Sequence, residues 1–350
     1  VLLQEGINLS SLVLTVTETL RYKGAFGQLN WALHRLTGLG ILFFLIQHVI
    51  DTSWAVFFPD LYVQAIAEYQ TPLFTIGEFA LVAAVVYHAL NGWRIVVFDY
   101  RPELWKHQER AALGVLLATG AILIPVFIIM FGHVNTFYFG DESPDLVPLV
   151  DLILNQLRFI IGIGVAVAVA LLFSFIHEFF TGRTTPERSR TRPLGSKVER
   201  FWWSYMRISG MLIIPLVFGH LAIMHLIQGV FDITAAGHVA AGATGVVGVN
   251  ETGTAVEFVY DRWNTLVGGV AIWRIYDAAL LALVVLHGFN GLRYIFNDYA
   301  RQEAIRRGLM YATIIMAVIL IVVGAAALIV NVDQDAVQLA AEAMANLHAE

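Results

Sequence analysis

The chain has 350 residues, 58% of them hydrophobic and 14% charged, with a net charge of −6 and no cysteine. A mean hydropathy of +0.71 is more apolar surface than one soluble core can hide, which excludes a soluble enzyme, a disordered chain and a nucleic-acid binder and leaves an integral membrane protein. Without cysteine the chain forms no disulfide, ligates no iron–sulfur cluster and attaches no haem by thioether.

Residues 1–28 are mildly apolar and end in a basic patch with Arg21 and Lys23. They show no secretory-signal pattern and read as a segment lying on the cytoplasmic surface. A bilayer core takes about 20 apolar residues per helix, and seven stretches qualify: 33–58, 73–98, 110–132, 153–180, 205–230, 267–297 and 308–331. The first is interrupted near one end by Asp51. The tail 333–350 reads as a short amphipathic helix outside the membrane, with no chemistry assigned.

Charge placement sets the orientation. Of 21 Lys and Arg, 18 fall before the first span, after the second, fourth and sixth, or at the matching span ends; only Arg158, Arg262 and Arg274 fall on the other side. The alternate loops are acidic, with Asp60 and Glu68, then Asp141, Glu142 and Asp145, then Glu251, Glu257 and Asp261. By the positive-inside rule the N-terminus is cytoplasmic and the C-terminus outside.

The chain also repeats itself. Trp31-x-x-x-Arg35-x-Thr37-Gly38 with His48 returns as Trp203-x-x-x-Arg207-x-Ser209-Gly210 with His220, at a constant offset of 172. The end of the second span, His88-x-x-Asn91-Gly92-x-Arg94-x-x-x-x-Asp99-Tyr100, returns as His287-x-x-Asn290-Gly291-x-Arg293-x-x-x-x-Asp298-Tyr299, offset by 199 with six of 13 positions identical. The 27 additional residues fit the Gly/Ala/Val/Thr-rich stretch 235–255. The expected fold is therefore all-α: an integral membrane bundle of seven helices, built as two three-helix repeats joined by a crossover helix. Its parts are 1–135, the first repeat; 136–200, the crossover helix and basic linker; 201–332, the second repeat; and 333–350, the outer tail.

The repeat sorts the 11 histidines. His48 matches His220 and His88 matches His287. An isolated histidine in a membrane span is costly and marks function, with a helix-to-helix hydrogen bond as the plain alternative. Four matched in two copies favour metal or cofactor ligation. His88 lies six residues from Arg94, about 9 Å outward, and His48 lies 13 residues from Arg35, about 20 Å outward, so the pairs sit at two levels roughly 10 Å apart. Two imidazoles facing across a bundle form the ligand set of a six-coordinate haem b, and two levels make two haems. Arg35, Arg94, Arg207 and Arg293 stand where haem propionates or quinone carbonyls need cations, with snorkelling as their ordinary role. His225 lies roughly 140° around the helix from His220 and is a substitute ligand. His34 has Met206 as its counterpart and fits a one-sided site. His133 and His177 lie near span ends, where facing water is expected; His107, His238 and His348 are loop or tail residues.

The strings HRLTG (His34–Gly38), His48 and YHALNGWRIVVFDY (Tyr87–Tyr100) resemble the first membrane subunit of succinate dehydrogenase. WWSYMRISGMLIIPLVFGHLAIMH (Trp202–His225) and LHGFNGLRYIFNDYA (Leu286–Ala300) resemble its other anchor subunit, in the manner of actinobacterial and archaeal anchors. The resemblance covers nearly everything except the fourth span and the tail, and implies both anchors fused in one cytochrome b subunit of a succinate:quinone oxidoreductase. It implies His88 and His287 as haem ligands, with His48 and His220 added in two-haem members. It further implies a quinone site near the cytoplasmic surface at Arg35 and Tyr299, beside His34, Trp31 and Asp298. Trp31 stands where some relatives have serine. The flavin and iron–sulfur clusters then belong to two soluble partners on the cytoplasmic face of a prokaryotic plasma membrane, in agreement with the absence of cysteine.

Two other classes make different demands. A secondary transporter with parallel repeats needs matched breaks at the midplane, and Pro215 has only Phe43 as its counterpart. The cytochrome b of another respiratory complex often carries two ligands on one helix, whereas here four helices carry one matched histidine each.

Overall fold

The computed structural model describes residues 26–69, 71–139, 149–181, 197–222, 250–300 and 302–347. Hydrocarbon offers no partner to a backbone N–H or C=O, so an apolar stretch crossing it closes its hydrogen bonds internally as helix. The described residues form α1 (Phe26–Phe57), α2 (Pro59–Tyr69), α3 (Pro72–Tyr100), a 3-10 turn (Pro102–His107), α4 (Gln108–Phe139), α5 (Leu149–Thr181), α6 (Lys197–Ala222), α7 (Val256–Asn264), α8 (Ile272–Tyr299), α9 (Glu303–Val330) and α10 (Gln334–Leu347). Pro59, Pro72 and Pro102 each open an element, where the missing N–H costs nothing.

Among the described residues seven helices are long and apolar enough to span a membrane: Gly27–Phe57, Leu73–Tyr100, Pro102–Gly132, Ile160–Phe180, Lys197–Leu221, Ile272–Tyr299 and Glu303–Val330. The shortest, with 21 residues, is about 31 Å long, enough for a hydrocarbon core of ~30 Å. The seven expected spans are all present, with described ends that differ by up to eight residues; 223–230 of the fifth lies outside the described residues. The helix α6 continues through Pro215, and α4 through Pro125. The stretch around His225 and most of 235–255 lie outside the described residues.

The central helix is α1. Its apolar side, Leu42, Ile46 and Val49, is buried with Val285 and Phe289 of α8 and Leu320 of α9. The helices α3 and α4 pack together on one side of it, α6 packs on α8, and α5 packs on α9. Small residues set these approaches: Ser174 of α5 donates to the Ala304 carbonyl at 2.6 Å, and a Cβ added at Gly308 of α9 would stand 3.0 Å from the Leu171 Cα.

A second buried cluster closes the outer end. It joins Ala55 of α1, Tyr62 and Val63 of α2, Val256, Phe258, Val259 and Trp263 of α7, Ala327 of α9, and Ala336 and Ala340 of α10. The sequence left 59–69 and 256–264 as acidic loops; both are short amphipathic helices that, with α10, cap the bundle. Beneath this cap, Asp51 is buried and accepts a hydrogen bond from the Tyr69 hydroxyl. Gln47 donates to Tyr69 Oη at 3.0 Å and to Gln156 Oε1 of α5 at 2.6 Å, and Gln156 donates to Glu68 at 3.4 Å. Burial first, and then the Asp51 carboxylate, push the Tyr69 phenol well above its ordinary range, so Tyr69 keeps its proton and donates.

Because the atom facing Gly308 is backbone, α5 cannot yield locally. Gly308→Ala lowers the stability of the detergent-solubilised protein by about 1–3 kcal/mol. Gly114→Ala, where nothing lies within 4 Å, leaves the thermal midpoint unchanged; equal midpoints for both variants would refute this account of the α5–α9 contact.

Candidate functional site

His88 on α3 and His287 on α8 turn toward the first helix of their own half of the chain. A Cβ at Gly38 would stand 2.9 Å from Cε1 of His88, and one at Gly210 would stand 3.3 Å from Cε1 of His287. At Gly38 a side chain would force the His88 ring to shift, and at Gly210 it would press on the His287 ring. Nδ1 of His88 is 3.1 Å from the His34 carbonyl and 3.3 Å from Thr37 Oγ1; Nδ1 of His287 is 2.9 Å from Ser209 Oγ. A carbonyl only accepts, so Nδ1 of His88 carries the proton and Nε2 presents the lone pair. The hydroxyl-glycine dipeptides Thr37-Gly38 and Ser209-Gly210 thus seat the histidine ring in each half.

The rest of the histidine motif is also local geometry. Arg94 Nε donates to Asn91 Oδ1 at 3.0 Å, and Arg293 Nε to Asn290 Oδ1 at 2.9 Å. Asn91 and Asn290 are buried, and their amide nitrogens make no hydrogen bond among the described residues. They are donors without acceptors in both halves. The halves then diverge. His34 stacks face to face on His88, with ring centroids 3.9 Å apart and planes 8° from parallel, and lies against Gly92. In the second half Met206 lies against Gly291, 3.9 Å from its added Cβ.

Farther out, His48 of α1 and His220 of α6 face each other with centroids 6.0 Å apart and an interplanar angle of 79°. Phe44 stacks on His48 at 5.3 Å. His220 Nδ1 lies 3.8 Å from Asp277 Oδ1 of α8.

At the inner end two arginine corners cross between the halves. Arg35 of α1 pairs with Asp298 of α8, and its guanidinium lies 3.9 Å from the Trp31 ring centroid and 5.8 Å from that of Tyr299. Arg207 of α6 pairs with Asp99 of α3 at 2.6 and 3.0 Å, with Trp203 at 4.0 Å. The second corner is satisfied, since Arg207 NH1 also donates to the Trp203 carbonyl at 3.2 Å. The first is not: Arg35 NH1 and His34 Nδ1 are buried and make no hydrogen bond among the described residues. Arg293 is held by Glu199 at 2.8 and 3.2 Å. Arg94 meets no carboxylate among the described residues; beyond Asn91 it reaches the Gln108 carbonyl at 3.4 Å.

The sequence-chosen residues therefore fall into four groups: His88 and His287 with their Nδ1 partners, His34 stacked on His88; His48 facing His220; Arg35, Trp31, Asp298 and Tyr299 at one corner; and Arg94, Arg207 and Arg293, held by Asn91, Asp99 and Asn290. Sequence reasoning missed Asp99, Glu199, Asp277 and Arg262 as partners. Asp99 was within reach, because it is the repeat mate of Asp298 as Arg207 is of Arg35.

The family described as succinate dehydrogenase/fumarate reductase transmembrane subunit matches residues 16–127 and 181–326. The chain belongs to this family. Among relatives, the chain is 35% identical over 107 residues to the succinate dehydrogenase 2 membrane subunit SdhC of Mycobacterium tuberculosis, a stretch covering 31% of this chain and 76% of that protein. The family match omits 128–180, the interval that holds nearly all of α5. Membership in a family of oxidoreductase membrane subunits, together with uninterrupted helices at Pro215 and Pro125, removes the ground for a transporter.

The crossed pair at Arg207 is open to a charge exchange. Asp99→Arg alone places two cations together and costs about 3–5 kcal/mol of stability. Adding Arg207→Asp restores most of the lost thermal midpoint in detergent; a double variant no better than the single one would show that the pair contributes nothing.

Proposed function

We propose that this chain is a membrane-anchor cytochrome b subunit of a succinate:quinone oxidoreductase, binding two haems b and a quinone and carrying electrons from a partner iron–sulfur subunit. In this reading residues 1–135 and 201–332 are two anchor-like repeats, 136–200 is the crossover and linker, and 333–350 is the outer tail. The observation that carries it is the pairing of four interior histidines, two facing at 6.0 Å and two with Nδ1 already held.

The donor set fits. His48 and His220, with ring centroids 6.0 Å apart on facing helices, are two neutral imidazoles that would hold a haem iron between them. At His88 the carbonyl accepting from Nδ1 leaves Nε2 for the metal, the usual second-shell arrangement for a histidine ligand, and at His287 the Ser209 hydroxyl is able to accept from Nδ1 in the same way. Haem b, when bound by these residues, supplies a place where single electrons are held. Of the four candidate arginines, Arg94 is the one that meets no carboxylate among the described residues, and it would hold an inner propionate.

For quinone the two inner corners offer the same frame with different vacancies. At Arg35 the NH1 donor is unmet, and a quinone carbonyl is the acceptor it lacks. Trp31 holds the guanidinium flat, Asp298 anchors it, and the Tyr299 hydroxyl donates to the second carbonyl. The Asp298 side chain is 51% exposed, so it exchanges protons with cytoplasmic water and passes them to the reduced quinone. His34, stacked on His88 one residue from Arg35, joins the corner to the inner ligand pair. Flavoprotein and iron–sulfur partners dock on the cytoplasmic face, where the basic segments lie, with the C-terminus outside a prokaryotic plasma membrane.

A dithionite-reduced-minus-oxidised spectrum with extracted haem quantified gives two haems b per chain. His88→Ala and His287→Ala each remove one of them; full absorbance in either variant would overturn the ligand assignment. Arg35→Gln keeps both haems but loses about 2 kcal/mol of quinone recognition, roughly 30-fold in kcat/KM for quinone. An unchanged kcat/KM would remove Arg35 from the site.

A further inference from the structure

Asp277 has no place in the resemblance; at the repeat offset of 199 its mate is Glu78, so both halves carry a carboxylate at this position. Arg262 NH2 donates to Asp277 Oδ1 at 2.6 Å and Trp263 Nε1 to Oδ2 at 2.9 Å. Both donors come from α7, the short helix of the outer cap, while Asp277 belongs to the first turns of α8. The Arg262 side chain is 3% exposed, and Trp273 packs over its guanidinium at 5.3 Å. Two donors from one rigid helix fix both carboxylate oxygens. Oδ1 is thereby held 3.8 Å from His220 Nδ1. That is beyond a direct hydrogen bond, but it is a charge contact in a region of low dielectric, where a nearby carboxylate acts through its field.

The inner histidines have nothing equivalent. Nδ1 of His88 faces a carbonyl and the Thr37 hydroxyl, and Nδ1 of His287 faces the Ser209 hydroxyl, all neutral groups. We propose that Asp277 is a positioning residue for His220, a carboxylate clamped by Arg262 and Trp263 that orients the imidazole and makes it a stronger electron donor than the inner ligands. The proposal rests on the reading of His48 and His220 as a haem ligand pair. A carboxylate behind the Nδ1 proton raises the basicity of the other ring nitrogen. A more basic ligand favours the oxidised metal, so the outer centre is reduced at a lower potential than a pair with neutral partners. Arg262 tempers the effect, since its charge opposes that of the carboxylate it holds.

The two residues therefore push one midpoint in opposite directions. Optical redox titration of the whole complex, with haem quantified per chain, reads this directly. The wild type gives two components. Asp277→Asn moves the lower midpoint upward, Arg262→Gln moves the same component downward, and Asp277→Glu returns it toward wild type, while the other component stays fixed throughout. Loss of one haem in Asp277→Asn, with retention in Asp277→Glu, supports the same role through orientation. Two haems whose midpoints are unchanged in both Asp277→Asn and Arg262→Gln overturn the proposal and leave the ligand assignment standing. A wild type with a single haem, lost in His88→Ala but kept in His220→Ala, overturns the outer ligand pair itself.

Discussion

Two ion pairs set the frame at the inner end of this bundle. Arg35 of the first half holds Asp298 of the second, and Arg207 of the second half holds Asp99 of the first. Each arginine lies flat on the tryptophan four residues before it, one helical turn away, so its position is fixed by its own helix before the partner arrives. A charge in or beside hydrocarbon is tolerated when it is paired. The pairings available here cross from α1 to α8 and from α6 to α3. The crossing ties the two halves side by side, and with them the histidines that α3 and α8 carry two turns or more outward.

The outer end solves the same problem differently. There one network joins Gln47, Asp51, Glu68, Tyr69 and Gln156, contributed by α1, α2 and α5, and a second joins Arg262 and Trp263 of α7 to Asp277 of α8. The amphipathic helices α2, α7 and α10 lie over the bundle and bury their apolar sides together. Through α7 the cap delivers Arg262 and Trp263 to Asp277 of α8.

Most of the membrane-spanning architecture was legible because the bilayer imposes one simple rule, a long apolar helix, and the sequence obeys it seven times. The Leu73–Tyr100 span was read as 73–98. The short helices α2 and α7 were not legible, since 11 and nine residues give too few turns for periodicity to rise above an acidic loop. Among the candidate residues, His48 facing His220 was readable from their common offset. The stack of His34 on His88 was not, because it depends on how closely α1 and α3 cross at Gly38 and Gly92. The partners of Arg35 and Arg207 lie 263 and 108 residues away. No local pattern reports such a contact, although the two repeat offsets contained it as a pair of matched charges.

What distinguishes one half from the other is a small set of side chains on a shared frame. His34 becomes Met206, which exchanges a stacked imidazole with an unmet nitrogen for an apolar thioether. Arg207 spends its donors on Asp99 and the Trp203 carbonyl, while Arg35 keeps NH1 unmet. Arg293 is held by Glu199, while Arg94 meets no carboxylate among the described residues. In each case it is the first half that retains polar capacity and the second that has satisfied it. A buried donor left without an acceptor is costly; Asn91 and Asn290 carry one in each half, whereas the first half adds Arg35 NH1 and the His34 ring nitrogen at its inner corner. In the second half Met206 and the Arg207–Asp99 pair occupy the corresponding positions.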